Sequence, residues 1–224
     1  MARNAPVIPA QFTSEQFGSA VSELENPDLD GYNLLTESHG MKIYSRRRDS
    51  GLYEYKVYGS FPCFSPELCS QVYNDLEYRN TWDTYVVQLT ELEDVKIERG
   101  VVIYWCVKYP FPLSNRDYVF VRETRELESS KGVCSWAALS ASLSLESQPE
   151  RSRVVRVNDF QQCVVLQSDG ANGSLVYMHY YDDPKGMIPK WLINWAAQTA
   201  VPMFLKTMND AFSKYTVYQS SKSK

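Results

Sequence analysis

The chain has 224 residues, of which 44% are hydrophobic and 22% charged, and its formal net charge is −4 at pH 7. This is the composition of a globular protein, and the length suits one domain with a continuous core. The acidic balance argues against nucleic acid as a partner, because binding to a phosphate backbone depends on a basic surface. No stretch reaches the roughly 20 apolar residues that span a bilayer, and residues 1–10 lack the apolar core of a secretory signal. We therefore expect a cytoplasmic protein.

Aromatic residues are frequent, with 16 tyrosines and 5 tryptophans. Each of these rings combines an apolar body with a polar group, and core packing alone does not require so many of them. The composition therefore indicates that aromatic side chains have a role besides packing.

The first part of the chain predicts two helices and a strand. A capping-box pattern at 13–16 begins a short amphipathic helix, which Asn26-Pro27 ends. Residues 52–58 alternate as in a strand with one solvated face. Ser65-Pro66 then begins a second helix, which we expect to end near Tyr78-Arg79.

The middle of the chain predicts a run of strands. The connections between them are short, which favours sequential antiparallel pairing and hence a curved meander rather than a parallel sheet. The predicted strands cover residues 101–109, 118–125, 133–143, 153–168 and 174–181.

The last predicted element is a long helix over residues 188–215. Pro202 should kink or interrupt it, because proline removes a backbone hydrogen bond and clashes with the preceding turn. Residues 216–224 are polar and are predicted to form a flexible tail.

Three motifs occur in a specific order, and core packing alone would not produce them. They are YNDLEYRNTWD at 73–83, YWCVKYPFPLSNRDY at 104–118 and IPKWLINWAA at 188–197. With these motifs the chain resembles the START lipid-transfer family over roughly residues 12–215. The resemblance implies an α+β helix-grip START fold, in which a curved antiparallel sheet wraps around the long C-terminal helix and encloses a lipid tunnel. Residues 1–11 would then be an N-terminal extension.

The resemblance also implies a function and a choline site. It predicts a carrier that holds one phosphatidylcholine molecule and transfers it between membranes, without catalysis and without a cofactor. A quaternary ammonium cannot donate a conventional hydrogen bond, and aromatic faces attract it through their quadrupoles. The family's cage maps onto Trp105, Tyr118 and Phe160, which we call the cage. Phe160 stands where the family pattern has tyrosine, so a ring is retained and a hydroxyl is lost.

The matching phosphate site centres on Arg79, whose planar fork suits phosphate oxygens. Tyr73 and Gln162 match the family's neutral hydrogen-bonding partners. Asp83 follows Arg79 by four residues, so helical geometry would let the two side chains pair. Val107 shares strand parity with Trp105 and should also line the tunnel.

The C-terminal helix is the predicted lid, because a closed sheath must open for lipid exchange. Trp191 and Trp195 are suited to a membrane interface, and Pro202 could serve as a hinge. We therefore expect transient contact with membrane surfaces, while protein partners are not predicted.

Two alternatives stay open at this stage. One is a cavity enzyme such as a thioesterase, although the chain has only 2 histidines, no GxSxG motif, no glycine-rich phosphate loop and no metal-ligand spacing. The other is a lipid sensor or a carrier for a sterol, a ceramide or another phospholipid. The cage distinguishes phosphatidylcholine from a sterol, because a sterol carries no cation that the rings could attract.

Overall fold

The computed structural model describes residues 7–128, 132–186 and 188–222. It contains one ten-stranded sheet. The strands are β1 Asn33–Ser38, β2 Met41–Arg47, β3 Tyr53–Phe61, β4 Val86–Glu91, β5 Val101–Val107, β6 Asn115–Glu128, β7 Cys134–Ser142, β8 Val154–Val157, β9 Phe160–Ser168 and β10 Ser174–Asp182. The helices are α1 Ser14–Glu25, α2 Pro66–Asn74, α3 Leu76–Trp82, α4 Lys190–Trp195 and α5 Val201–Lys222, with a π-helical turn at Ala196–Ala200 between the last two.

The sheet order is β1-β2-β3-β10-β9-β7-β6-β5-β4, and neighbouring strands along this path are antiparallel. Strand β8 lies off this path and pairs with β6 in parallel. A large curved sheet with a long C-terminal helix confirms the predicted α+β helix-grip arrangement. The enclosed tunnel stays a prediction.

Helix α1 begins as its sequence predicts. The Thr13 side chain accepts a hydrogen bond from the Gln16 backbone, and the Gln16 side chain accepts one from the Thr13 backbone. The helix buries Phe17, Ala20 and Val21 against β7, β9 and β10. This packing covers part of one face of the sheet.

The single helix predicted from 65 to 79 is wrong, because Asp75 divides it into α2 and α3. The Asp75 backbone N–H ends α2 by donating to the Gln71 carbonyl. Its side-chain Oδ1 accepts from the Tyr78 backbone N–H at 2.8 Å and so begins α3. Oδ2 of the same carboxylate accepts from the Tyr215 hydroxyl at 3.0 Å, which joins the break to α5.

The sequence pattern did not predict β1, β2 or β4. In β1 and β4 the pairing register shifts, which breaks the period-2 pattern on which the prediction depends. In β2 the charged side chains of Lys42, Arg46 and Arg47 obscure the apolar pattern that predicts a strand, although Met41 and Ile43 are buried on one face.

The single strand predicted over 153–168 is also wrong, because it contains two strands in different positions. β8 pairs with β6, whereas β9 pairs with β7 and β10. The chain turns between them, where the Asp159 carbonyl accepts from the Asp183 backbone N–H at 2.8 Å.

The predicted interruption of the C-terminal helix takes the form of the π-helical turn at Ala196–Ala200. Pro202 has no N–H to donate within the helix, and a wider turn just before it accommodates that loss. The helix then continues to Lys222, beyond the predicted boundary at 215, because Tyr218 packs on Tyr78 at a ring-centre distance of 4.4 Å. Residues 216–222 are therefore helical, and the last two residues lie outside the described part of the chain. No helix in the described ranges is long and apolar enough to cross a membrane.

The predicted N-terminal extension is partly described. Ile8 forms a parallel bridge with Ile97, and its backbone exchanges hydrogen bonds with Lys96 and Glu98. Residues 7–11 thus contact the domain, while residues 1–6 lie outside the described part.

Helix α5 packs into the concave side of the sheet through Phe212. This buried ring lies 4.9 Å from the Phe61 ring centre and 5.2 Å from that of Phe64. The Tyr78 hydroxyl donates to the Ala211 carbonyl at 2.8 Å and ties α3 to the same helix. The core therefore depends on α5 being in place.

We expect Phe212→Ala to lower the free energy of unfolding by about 3–5 kcal/mol, because the change leaves a cavity in a packed aromatic cluster. Met203→Ala is the matched control on the same helix, since Met203 is 49% exposed and its truncation should change stability by about 0.5 kcal/mol or less. Chemical denaturation followed by circular dichroism measures both. Equal effects of the two changes would contradict this account of the core.

Candidate functional site

The three rings of the cage lie together in the structure. Trp105 on β5 and Tyr118 on β6 are paired across the strands, with ring centres 5.1 Å apart. Phe160, at the start of β9, packs edge-on against Tyr118 at 5.3 Å. Strands β5, β6 and β9 thus bring the predicted rings into one cluster.

A fourth ring and a carboxylate adjoin the cage, and the sequence reading missed both. Tyr180 on β10 lies 5.7 Å from the Phe160 ring centre. The hydroxyl groups of Tyr118 and Tyr180 donate to the same Oδ2 atom of Asp182, at 2.8 and 2.9 Å. The alternation along β10 could have revealed Asp182, because Tyr180 and Asp182 share strand parity.

Burial governs the electrostatics of this group. Asp182 is only 8% exposed. Removal of its carboxyl group from water raises the pKa of that group. The hydrogen bonds from Tyr118 and Tyr180 oppose that rise. Burial also holds the pKa of both phenols well above the usual value, so both remain donors.

Arg79 lies beside the cage, as predicted, and pairs with Asp83. Its Nε donates to Asp83 Oδ2 at 2.9 Å, and Asp83 is buried. The guanidinium carbon lies 5.2 Å from the Trp105 ring centre and 5.6 Å from that of Phe204. The other two guanidinium nitrogens make no hydrogen bond to any described residue, so they could bind an anion.

Tyr73 and Gln162 are also brought together. The Tyr73 hydroxyl donates to Gln162 Oε1 at 2.7 Å, and Gln162 Nε2 lies 3.4 Å from the Met178 sulfur. Both predicted neutral partners therefore form one hydrogen-bonded pair that joins α2 to β9.

Arg122 is a second interior cation that the sequence reading missed. It is 4% exposed, and its guanidinium carbon stacks 4.3 Å from the Tyr73 ring centre. One terminal nitrogen donates to the Tyr73 carbonyl at 3.3 Å. Burial, assisted by repulsion from Arg79, lowers the pKa of Arg122. Its position could have been read from β6, where Tyr118, Phe120 and Arg122 alternate onto one face.

Several buried donors in this region have no hydrogen-bond acceptor among the described residues. They include the indole nitrogens of Trp82 and Trp105 and the Nε atom of Arg122. Buried polar groups are nearly always hydrogen-bonded in folded proteins. A ligand that carries acceptor oxygens would suit these donors.

The remaining predicted residues lie around the site. Val107 packs in the same apolar cluster as the cage. Trp195 is half-buried and meets Tyr85 edge-on at 6.0 Å, whereas Trp191 is 44% exposed. Pro202 is half-buried at the start of α5. The structure thus places α4 next to the segment that follows Arg79 and Asp83.

The arrangement suits a zwitterion. Aromatic faces with a carboxylate behind them attract a cation, and the two free nitrogens of Arg79 are adjacent and can bind an anion. The site therefore supports recognition of a ligand.

Known proteins resemble most of the chain. The family model of the START domain matches residues 32–217. The phosphatidylcholine transfer protein of Mus musculus is 47% identical over 207 residues, which cover 91% of this chain and 95% of that protein. The phosphatidylcholine transfer protein of Homo sapiens is 46% identical with the same coverage. The crystal structure of human STARD10 superposes with a TM-score of 0.78 at 25% identity, covering 95% of this chain and 84% of that one. The resemblance seen in the sequence motifs is confirmed, and the chain belongs to the START domain family.

Proposed function

We propose that this chain binds one phosphatidylcholine molecule in an internal tunnel and transfers it between membranes. The observation that carries the proposal is the position of Arg79, with two free nitrogens, 5.2 Å from the Trp105 ring of the cage. A cation site and an anion site at this spacing suit a phosphocholine head group. Relatives that are 46–47% identical are phosphatidylcholine transfer proteins, which supports the same assignment.

The cage holds the choline. A trimethylammonium group offers no hydrogen atom for a strong hydrogen bond, so recognition depends on ring faces and on shape. A desolvated cation–π contact contributes about 2 kcal/mol. Phe160 supplies a ring face here although it lacks a hydroxyl, and the neighbouring Tyr180 adds another ring.

The phosphate binds at Arg79. Asp83 occupies the Nε position and holds the guanidinium in place, which leaves its terminal nitrogens for two phosphate oxygens. Tyr73 and Gln162 stand as further hydrogen-bonding partners, as the family pattern has them. The phosphate therefore meets an oriented cation whose own counter-ion is already in place.

The acyl chains are the reason for an enclosed site. Burying each methylene contributes about 0.8 kcal/mol, so two long chains exposed to water would cost on the order of 20 kcal/mol. In this proposal the C-terminal helix is the lid. Trp191 and the exposed Met203 meet the membrane surface, Trp195 closes on Tyr85, and Pro202 with the preceding π-helical turn is the hinge.

The proposal includes a cytoplasmic location and a carrier that is not an enzyme. The carrier needs no cofactor, catalyses no reaction and binds no nucleic acid, because recognition of the head group and desolvation of the acyl chains are sufficient for transfer. Hydrolysis of an acyl substrate that one site substitution abolished would contradict this part of the proposal.

Native mass spectrometry of the purified protein tests the cargo directly. We expect one bound phosphatidylcholine per chain, and fluorescence assays should show its transfer between vesicles. Phosphatidylethanolamine should compete weakly, because an ammonium that can donate hydrogen bonds gains less from a cage of rings than from water. Equal competition, or a sterol or ceramide in place of the phospholipid, would overturn the assignment.

We expect Arg79→Lys to reduce phosphatidylcholine binding by about tenfold or more. Lysine keeps a positive charge next to buried Asp83 and loses the planar fork, and a hydrogen bond to a charged group contributes about 1.5–3 kcal/mol. Arg79→Ala should abolish transfer. Isothermal titration with a soluble short-chain phosphatidylcholine and vesicle transfer rates measure these effects.

Arg151→Ala is the control for both changes, since this exposed arginine stacks on Tyr104 in a cluster apart from the cage. Circular dichroism confirms that each variant is folded. Wild-type affinity in a folded Arg79→Lys protein would contradict the phosphate assignment.

Phe160→Leu should weaken phosphatidylcholine binding by about 2- to 30-fold, which corresponds to the loss of one cation–π contact. Leucine keeps an apolar side chain at the position and removes the π-face. Phe64→Leu is the matched control, because Phe64 packs on Phe212 in a separate apolar cluster. The same titration measures both, and an equal loss of affinity would show that the ring at 160 acts only by packing.

A further inference from the structure

We propose that Asp182 is the counter-anion of the cage and that, through the hydroxyl groups of Tyr118 and Tyr180, it makes the site select a permanent cation over a neutral group of the same shape. This inference deepens the proposed function and depends on it. It assigns a positioning role to a carboxylate that belongs to neither the three rings nor the phosphate site.

The geometry places Asp182 directly behind the rings. Asp182 stands opposite Phe160 in the β9–β10 register, and its Oδ2 accepts from the phenols of Tyr118 and Tyr180 at 2.8 and 2.9 Å. Those two phenol rings flank Phe160 at 5.3 and 5.7 Å. One carboxylate is thus hydrogen-bonded to two of the rings that surround the cation position.

Asp182 has no ionic partner among the described residues. In residues 7–128, 132–186 and 188–222, no lysine or arginine forms a salt bridge with it. Charged groups that are buried are normally paired, because taking a charge out of water is costly. Two phenol donors compensate that cost in part, and a cation in the cage would compensate the rest.

The nearby arginine does not fill this role. Arg116 is buried on β6, and its nitrogens donate to the carbonyls of Ser114, Pro184 and Lys185 at 2.6–3.4 Å. Its guanidinium stacks 4.4 Å from the Tyr109 ring centre. Arg116 therefore holds the loop after β10, and it acts on Asp182 only at a longer range.

The electrostatic surroundings of Asp182 agree with this role. Burial raises the pKa of the carboxyl group, the two phenols and the more distant Arg116 lower it, and Asp183 raises it. The remaining titratable groups that face it are Tyr55 on β3 and Tyr109 after β5, and both stay protonated because burial raises their pKa to about 12. A bound cation adds a further stabilising charge, so it favours the ionised carboxylate.

The test uses two ligands that differ in one atom. The first is a soluble dihexanoyl phosphatidylcholine, and the second is the same lipid with carbon in place of the quaternary nitrogen. Their shapes match and neither head group titrates between pH 4 and 8, so the ratio of their dissociation constants reports the charge preference of the cage alone. Any effect on the phosphate site or on the acyl tunnel cancels in the ratio.

We expect the wild-type protein to prefer the charged lipid and Asp182→Asn to reduce that preference by about tenfold, since the amide keeps the shape and removes the charge. Asp183→Asn is the matched control, because the adjacent carboxylate pairs with Lys185 at the surface and should leave the ratio unchanged. A wild-type ratio in a folded Asp182→Asn protein would overturn the inference. If the wild-type protein binds neither lipid, the proposed function is wrong, and the inference is wrong with it.

The pH dependence of the same ratio needs no substitution of Asp182. Below the pKa of Asp182 the carboxylate is protonated, so the wild-type preference for the charged lipid should fall as the pH is lowered from 7 to 4. Tyr180→Phe removes a hydrogen bond that lowers that pKa, so the fall should begin at a higher pH. A wild-type preference that stays constant over this range would overturn the inference even if Asp182→Asn failed to fold.

Discussion

The site depends on one constraint: a charged side chain that is buried in the interior of the domain needs a partner that compensates its charge. Arg79 has Asp83, and Asp182 has the phenols of Tyr118 and Tyr180. Each arrangement compensates the charge in part and leaves it able to act on a ligand. Arg122, which stacks on rings and donates to a carbonyl, is the least compensated of these groups.

The alternation of β6 separates this inner chemistry from the outer support of the sheet. Arg116, Tyr118 and Arg122 share the parity that faces the site, whereas Asp117 projects to the other side. There Asp117, which is fully buried, forms a two-point pair with Arg156 at 2.9 and 3.0 Å. That pair joins β8 to β6. It therefore supports the strand that carries Tyr118 from the face opposite the site.

Much of the fold and site could be predicted, and the failures have physical causes. The N-cap at Thr13 could be predicted because all its hydrogen-bonding partners lie within one helical turn. The cage and Arg79 came from family motifs, and the structure brings those residues together. Asp75 was missed because nothing in the helical pattern around it indicates that this residue ends one helix and begins another. Asp182 was missed because one of its hydrogen-bond donors, Tyr118, is 64 residues away in the chain.

The break at Asp75 has a mechanical consequence. One oxygen of this carboxylate begins the helix that carries Arg79, and the other accepts the Tyr215 hydroxyl of α5. When α5 shifts far enough to separate these groups, the carboxylate keeps only its local partner, and the first turn of α3 loses a restraint. The start of α3, the helix that carries Arg79, is therefore coupled to the position of the C-terminal helix.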